Sequence, residues 1–348
     1  MANIMLTDAC NLKCQYCFAN EFVNKDRNEI SMENFEKAVS FITADGFCDR
    51  IGLIGGEPTL HSQFDKILRT LILNPKVHRI VLYTNGVFLD NYRDLICHPK
   101  MALLVNCNSP EEMGITNFER MDANLDYMLN TRLFREKITM GINLYSPDMD
   151  IQYMLQLLQK YDMHHVRISI TVPNDASEKN SEAVLYFKKM KQFISESISL
   201  FLSNGIIPNY DCNKMPACVL PPVDPCKVET GNNTEIIKHL KMSNITHTEV
   251  QCHPVVDIRQ DLTAVRCFGL SEWTKQNIQD YRSLKELINY YMRTIDSYMY
   301  NTVSGRTCAD CRLRKVQECS GGCLAFKIDA INKNREFAEK LIDSGLNL

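Results

Sequence analysis

The chain has 348 residues, of which 45% are apolar and 23% are charged, so it can bury the core of one large domain or of a domain with an appendix. Its 39 basic and 42 acidic residues give a net charge of -3, which provides no electrostatic basis for binding nucleic acid or an anionic membrane. The first residues lack a cationic region and a long apolar run, so we expect no signal peptide. The sequence contains no run of about 20 apolar residues, so we expect no membrane span.

Short apolar segments alternate with amphipathic segments as far as about residue 204. The six predicted strands cover residues 4–7, 50–54, 79–83, 102–107, 138–144 and 166–172. A helix is predicted after the N-cap residue Ser31, and further helices are predicted near 64–72, 117–129, 149–161 and 181–203. Strands that alternate with helices predict an α/β fold with a parallel sheet and right-handed crossovers.

Polar and reactive residues follow the first three predicted strands. Three cysteines follow strand one, Gly55-Gly56-Glu57-Pro58 follows strand two, and Thr84-Asn85-Gly86 follows strand three. In parallel sheets, chemistry gathers at the carboxyl ends of the strands. The positions of these motifs therefore predict one active site at that edge.

The pattern of alternating elements ends after about residue 204. Residues 205–233 contain five prolines and three cysteines, which predicts an irregular linker. Residues 234–348 contain six more cysteines, with predicted helices near 284–300 and 325–342. We therefore expect a core over 1–204, a linker over 205–233 and a cysteine-rich domain over 234–348.

The fifteen cysteines are concentrated in two parts of the chain, which in a cytoplasmic protein favours metal binding or catalysis over disulfides. Only Cys48, Cys97 and Cys107 stand apart, and we interpret them as small buried apolar residues. Cys10, Cys14 and Cys17 have the spacing C-x3-C-x2-C. Three thiolates in one short loop can bind three irons of a 4Fe–4S cluster and leave the fourth iron open. The alternatives are a structural zinc site, which would require a fourth ligand, and unrelated loop thiols.

This cysteine motif, followed by Gly-Gly-Glu-Pro, resembles the radical S-adenosylmethionine superfamily over about residues 4–172. The resemblance implies a partial (β/α)6 TIM-like barrel and a 4Fe–4S cluster whose open iron binds S-adenosylmethionine. It also implies reductive cleavage to methionine and a 5′-deoxyadenosyl radical, which abstracts hydrogen from a substrate C–H bond. An external one-electron reductant is then required, and an oxygen-sensitive cluster implies a cytoplasmic location.

The resemblance also implies a set of residues that bind S-adenosylmethionine. Glu57 would offer acceptors to the methionyl ammonium group, beside two glycines that allow a close backbone approach and a proline that stiffens the turn. Asn106 and Asn108 stand where the family usually shows Ser and Asp near the ribose, which is a departure. The complete predicted set is Phe18 at the adenine, Gly55, Gly56, Glu57, Pro58, Thr84, Asn85, Asn106, Asn108, Asn143 and, for the carboxylate, Arg167.

The C-terminal cysteines have a spacing typical of a metal site. The predicted ligands are Cys252, Cys267, Cys308, Cys311, Cys319 and Cys323. Zinc is the alternative to iron–sulfur by spacing alone. Behind a radical core the pattern resembles the SPASM or twitch extension with auxiliary 4Fe–4S clusters. This chain has no cysteine after Cys323, so a second cluster would require Cys226, Cys212, Cys218 or a ligand other than cysteine.

Three functions remain open from the sequence. The first is radical modification of a peptide or protein side chain by cross-linking, epimerisation or oxidation. Because strand one starts near residue 4, we expect no leader-binding domain before it, and a peptide substrate would need a separate recognition protein or none. The second is a radical dehydrogenase or epimerase of a sugar or aminocyclitol. The third is a non-catalytic iron–sulfur or zinc protein.

Overall fold

The computed structural model describes most of the chain, and the residues within the described ranges fall into two compact units. Unit 1 lies within residues 2–140 and 254–296, and unit 2 lies within residues 141–253 and 297–327. The described ranges are 2–17, 19–20, 22–132, 134–171, 183–210, 252–270, 274–297, 306–316, 319 and 321–327.

The first four strands of unit 1 pair in parallel and in chain order. They are β1 (Ala2–Met5), β2 (Arg50–Ile54), β3 (Arg79–Thr84) and β4 (Met101–Asn106). Most of their residues are fully buried, as expected for parallel strands covered on both faces. Their carboxyl ends therefore meet at one edge of the sheet.

Five helices follow these strands. They are α1 (Met32–Ile42), α2 (Phe64–Leu73), α3 (Arg93–Ile96), α4 (Pro110–Met113) and α5 (Ile115–Asp126), and a π-helical turn over Tyr127–Thr131 extends the last. The Ser31 hydroxyl caps α1 by accepting a hydrogen bond from the Asn34 backbone N–H at 3.1 Å, as predicted. The predicted apolar face of α1, with Phe35 and Ile42, is buried.

A second part of unit 1 comes from the C-terminal half of the chain. Strand β8 (Val256–Ile258) pairs in parallel with β1, so that Ala2 lies opposite Val256. The short strands β9 (Thr263–Val265) and β10 (Gln276–Asn277) continue the sheet antiparallel, and α8 (Leu284–Tyr291) follows with a π-helical turn at Met292–Asp296. Because residues 254–296 join β1, the observed units divide the chain differently from the expected boundaries at 204 and 234.

Unit 2 contains parallel strands of the same kind. In β5 (Ile138–Leu144), Gly141 lies opposite Arg167 of β6 (His165–Ile170), and β6 pairs in parallel with β7 (Ile207–Tyr210). Its helices are α6 (Gln152–Lys160), α7 (Ala183–Ser203), α9 (Arg306–Ala309) and α10 (Arg312–Lys315).

The predicted α/β class with a parallel sheet is confirmed, and each of the six predicted strands overlaps an observed one. Cys48 and Cys107 are buried as predicted, whereas Cys97 is half-buried. The predicted helix near 325–342 lies almost entirely outside the described residues. Within the described ranges, no helix has the length and apolar character needed to cross a membrane.

Candidate active site

The Gly55-Gly56-Glu57 segment packs against the residues that connect β1 to Cys10. The Gly56 N–H donates to the Thr7 carbonyl and the Glu57 N–H donates to the Ala9 carbonyl, each at 2.8 Å. A Cβ atom at Gly55 would lie 2.5 Å from the Thr7 oxygen, and one at Gly56 would lie 2.3 Å from the Ala9 oxygen. Both glycines are therefore required for contact with this backbone, whereas the sequence suggested an approach to a ligand.

Glu57 is buried, and its carboxylate accepts hydrogen bonds from two loops. Oε1 accepts from the Thr59 hydroxyl at 2.6 Å and from the Thr84 hydroxyl at 2.7 Å, and Oε2 accepts from the Asn85 N–H at 2.8 Å. Burial raises the pKa of Glu57, while these hydrogen bonds oppose the rise. Glu57 thus joins the segment after β2 to the end of β3, and contact with a methionyl ammonium group stays a prediction.

Asn85 connects the end of β3 to the cysteine loop. Its Nδ2 donates to Asn11 Oδ1 at 2.8 Å, and its Oδ1 accepts from the Val87 N–H at 3.1 Å. Gly86 has a φ of 80°, and a Cβ there would lie 2.9 Å from side-chain atoms of Met121 and Val105. The Thr-Asn-Gly turn therefore needs its glycine, and it fixes the residue that follows Cys10.

The three predicted cluster ligands lie half-buried in one loop after β1. Asn24 holds the start of this loop, because its Oδ1 accepts from the Cys10 N–H at 2.9 Å and its Nδ2 donates to the Cys10 carbonyl at 3.0 Å. The Cys17 N–H donates to the Cys14 carbonyl at 3.1 Å and closes the second half of the motif. The loop conformation is thus set by protein hydrogen bonds.

The three thiols have raised pKa values, which is the electrostatic state expected of cysteine ligands without their bound cation. Burial raises the pKa of Cys10 to about 12, with additional contributions from Glu57 and the other two thiols. Burial, together with the nearby Cys17, also raises the pKa of Cys14 to about 11, and burial raises that of Cys17. A bound cation would offset this cost by stabilising the thiolates.

The donor set fits a 4Fe–4S cluster. In such a cluster each thiolate binds a different iron, and N–H donors to the sulfurs stabilise it. The Leu12 N–H points to Cys10 Sγ at 3.4 Å and Asn108 Nδ2 points to Cys14 Sγ at 3.2 Å. Across the described ranges, no group of three or more His, Cys, Asp or Glu side chains is placed to hold a metal ion. A cube with three separate ligand irons does not require the thiols to converge on one point.

The two asparagines near the end of β4 have different surroundings. Asn106 Oδ1 is buried and has no hydrogen-bond partner, which leaves an acceptor for a ligand hydroxyl. The Asn108 amide is engaged on both sides, with Cys14 and with the Tyr16 hydroxyl, which donates to Oδ1. Asn108 is in contact with a predicted cluster ligand, and its expected position near the ribose stays a prediction.

The remaining predicted cofactor residues lie in unit 2 or outside the described ranges. Arg167 on β6 donates through Nη1 to Asn143 Oδ1 on β5 at 3.0 Å, so the two polar residues contact each other. Phe18 and Cys226 lie outside the described residues, as do Cys212 and Cys218.

The described C-terminal cysteines of unit 2 are partly ordered by backbone contacts. Cys308 and Cys319 are buried, whereas Cys311 and Cys323 are half-buried. The Cys311 N–H donates to the Cys308 carbonyl at 3.3 Å. The Gly321 N–H points to Cys319 Sγ at 3.3 Å. Cys252, in unit 2, and Cys267, in unit 1, are both half-buried. Ligation of an auxiliary cluster by these residues stays a prediction.

Sequence reasoning missed three polar residues that shape the cysteine loop: Asn11, Tyr16 and Asn24. Asn11 and Tyr16 lie inside the motif, where a polar side chain next to a ligand could have indicated a structural hydrogen bond. Asn24 has a φ of 60°, and asparagine is among the few residues that adopt this conformation readily. Its position seven residues after Cys17 gave no local signal.

Comparison with known proteins gives the same assignment for the N-terminal part. Residues 4–110 match the family model described as the Radical SAM superfamily. A probable GTP 3′,8-cyclase from Methanocella arvoryzae is 30% identical over 179 residues, which cover 46% of this chain and 57% of that protein. An S-adenosylmethionine-dependent nucleotide dehydratase from Selenomonas ruminantium is 24% identical over 185 residues, which cover 47% of this chain and 66% of that protein. The chain thus spans less than two thirds of the length of these relatives.

The fold as a whole resembles a solved structure. SuiB of Streptococcus suis, crystallised with S-adenosylmethionine, has a TM-score of 0.62 and 15% identity, covering 96% of this chain and 74% of SuiB. SuiB crystallised with its precursor peptide SuiA gives a TM-score of 0.61. At this identity the likeness concerns the fold, which is the partial barrel type. Residues 4–110 are a radical S-adenosylmethionine superfamily domain.

Proposed function

We propose that Cys10, Cys14 and Cys17 hold a 4Fe–4S cluster with one open iron, and that S-adenosylmethionine binds there beside the Gly55–Pro58 segment. One observation carries this proposal. Three half-buried thiols lie on a loop at the carboxyl edge of a parallel sheet. The backbone that leads into this loop accepts hydrogen bonds from the Gly56 and Glu57 N–H groups. The matched family implies the same two cofactors.

The residues of this chain bind and orient rather than react. A cluster bound here would supply the electron that cleaves the sulfonium of S-adenosylmethionine to methionine and a 5′-deoxyadenosyl radical. Glu57 and the Thr84-Asn85-Gly86 turn fix the backbone beside the cysteine loop. The side-chain oxygen Oδ1 of Asn106 is available to a ligand hydroxyl. An external one-electron reductant would supply the electron, and a cytoplasmic location agrees with a cluster that oxygen can damage.

We further propose that the hydrogen is abstracted from a peptide or protein side chain, leading to a cross-link, an epimer or an oxidised residue. The support is the likeness to SuiB, which has been crystallised with its precursor peptide. This likeness extends over 96% of this chain and therefore beyond the radical core. The C-terminal cysteines would then hold one or two auxiliary 4Fe–4S clusters of the SPASM or twitch type. A separate peptide-recognition protein is a further expected partner.

A small-molecule substrate is the second candidate. Its support is the similarity to a GTP 3′,8-cyclase and a nucleotide dehydratase, whose names indicate nucleotide substrates. This similarity covers less than half of the chain. A nucleotide or a sugar-like molecule therefore competes with the peptide for the same radical.

The cluster assignment is tested by anaerobic iron and sulfide analysis of the reconstituted protein beside a Cys10/Cys14/Cys17→Ala triple variant. We expect the variant to lose about four irons per chain, the content of one 4Fe–4S cluster. Iron that remains in the variant counts the auxiliary clusters. Equal iron in both proteins, or zinc in the wild type, would overturn the proposal.

The substrate class is tested by adding dithionite and S-adenosylmethionine to the loaded enzyme, with either a mixture of nucleotides and sugars or a set of candidate peptides. We expect 5′-deoxyadenosine to rise above the substrate-free rate with a peptide. Transfer of deuterium from the substrate into 5′-deoxyadenosine would identify the reacting molecule. Deuterium transfer from a nucleotide or a sugar alone would replace the peptide proposal by the second candidate.

A further inference from the structure

A chain of hydrogen bonds connects Asn108, in the loop after β4, to the predicted cluster ligand Cys14. Tyr16 lies between Cys14 and Cys17, and its hydroxyl donates to Asn108 Oδ1. On the other side of the same amide, Asn108 Nδ2 donates to Cys14 Sγ at 3.2 Å. Because the hydroxyl donates to the oxygen end of the amide, the nitrogen end faces the sulfur, and a thiolate sulfur has no proton and can only accept.

The backbone around Asn108 holds this donor in place. Asn108 is 3% exposed and lies between the end of β4 and the start of α4. Ser109 and Glu112 form a capping box, in which the Ser109 hydroxyl accepts from the Glu112 N–H at 3.3 Å and Glu112 Oε2 accepts from the Ser109 N–H at 3.4 Å. A side chain supported in this way presents a fixed donor to the sulfur.

The geometry points to Asn108 as a positioning residue that sets the reduction potential of the cluster through Cys14, with Tyr16 fixing its orientation; this inference rests on the proposed cluster site. An N–H···S hydrogen bond stabilises the more negative, reduced state more than the oxidised state. Hydrogen bonds to the cluster sulfurs are one of the main determinants of its potential. Asn108 therefore makes the cluster easier to reduce than the same cysteine loop would be without it.

The test is a redox titration of the reconstituted protein without S-adenosylmethionine, followed by the electron paramagnetic resonance signal of the reduced N-terminal cluster. The signals of the auxiliary clusters are recorded separately in the Cys10/Cys14/Cys17→Ala variant and subtracted. Asn108→Leu removes the donor. Asn108→Asp keeps the shape and the acceptor for Tyr16 but replaces N–H by a carboxylate oxygen. Tyr16→Phe removes the hydroxyl that orients the amide and that also hydrogen-bonds Cys14.

We expect the midpoint potential to become more negative in all three variants, most in Asn108→Asp, and less in Asn108→Leu and Tyr16→Phe. Tyr127→Phe is the matched control, because its ring packs under the Arg93 guanidinium, outside the cysteine loop, and its potential should equal that of the wild type. A carboxylate beside the cluster lowers the potential by its charge alone, so a purely structural role for Asn108 predicts a shift in Asn108→Asp but none in Asn108→Leu.

The outcomes separate this inference from the proposed function. Wild-type protein that binds a cluster, together with an Asn108→Leu variant of unchanged potential, would overturn the role of Asn108 and leave the cluster site intact. Wild-type protein that binds no cluster would overturn both. If Asn108→Leu loses its cluster, Asn108→Ala decides the matter in its place, because it also removes the donor and adds neither a charge nor volume.

Discussion

Strand β1 has a buried carboxyl group on each side, and the two groups differ in how the protein supports them. On the β2 side, Glu57 accepts four hydrogen bonds, from the backbone and hydroxyl of Thr59, the hydroxyl of Thr84 and the backbone of Asn85. On the β8 side, Asp257 accepts two, from Asn3 Nδ2 at 2.7 Å and from the Phe268 N–H at 3.1 Å.

The two carboxyl groups therefore differ in what they hold in place: one lies among the loops of the candidate active site, and the other joins two distant parts of the chain. The donors to Glu57 belong to the loops that also fix the cysteine motif, so this carboxylate organises the candidate active site. Asp257 joins the C-terminal part of unit 1 to β1, and burial raises its pKa to about 7 despite its two hydrogen bonds. We therefore expect changes on the β2 side to affect cofactor binding as well as stability, and changes on the β8 side to affect stability alone.

The largest expected effect is on the β2 side, where Cys14→Ala should reduce 5′-deoxyadenosine formation to background. Its thiolate is one of only three predicted ligands of the cluster, and the remaining two would leave two irons open. Product analysis after anaerobic reconstitution measures the loss. Cys48→Ala is the matched control, because Cys48 is a buried thiol that donates to the Arg50 carbonyl at 3.1 Å, outside the cysteine loop. Equal losses in both variants would contradict a specific role for the cysteine loop.

The next effect is a dependence of stability on pH that arises on the β8 side. Asp257 has a pKa of about 7 in the folded protein, and an unfolded aspartate has a pKa of about 3.9. The folded state thus holds a proton that the unfolded state releases, so the contribution is fully present below about pH 4 and is lost as the pH rises to about 7. At about 1.4 kcal/mol per pH unit, the loss is up to about 4 kcal/mol.

Urea unfolding at several pH values between 4 and 8, for wild type and Asp257→Asn, measures this dependence. The asparagine variant cannot ionise, so the difference between the two proteins should change with pH across this window. Glu57 remains in both proteins and its own contribution cancels in the difference. A difference that is constant over the whole range would show that Asp257 is not the responsible group.

A third effect concerns the contact between the two glycines and the segment that connects β1 to Cys10. We expect Gly56→Ala to destabilise the protein by about 3 kcal/mol, because its Cβ would lie 2.3 Å from the Ala9 oxygen and force the backbone apart. Gly46→Ala is the matched control, since Gly46 has a φ of 68° with no atom near its Cβ position and should cost only about 1 kcal/mol of backbone strain. Chemical denaturation measures both, and equal losses would contradict the close contact.

The two sides of β1 also differ in how far the sequence predicted them. The strands, the cysteine loop and the Gly-Gly-Glu-Pro segment on the β2 side were predictable, because each has a local pattern and follows its strand directly. The pairing of β1 with β8 was not, because a three-residue strand 254 positions away from β1 carries no periodic signal. The contact between Asn108 and Cys14 was missed for a similar reason. The sequence pattern predicts that Asn108 follows the end of a strand, but it does not predict which side chain at that edge of the sheet Asn108 contacts.

The smallest effect tests whether Glu57 depends on any single donor. Thr84→Val removes the hydroxyl that donates to Glu57 at 2.7 Å and accepts from the Gly86 N–H at 3.0 Å, with almost no change of volume. Because Glu57 keeps three other donors, we expect a loss of only about 1 kcal/mol in the free energy of unfolding. Thr84→Ser, which retains the hydroxyl, is the matched control and should lose less. A loss of several kcal/mol in Thr84→Val would instead mean that the four hydrogen bonds to Glu57 act as one cooperative unit.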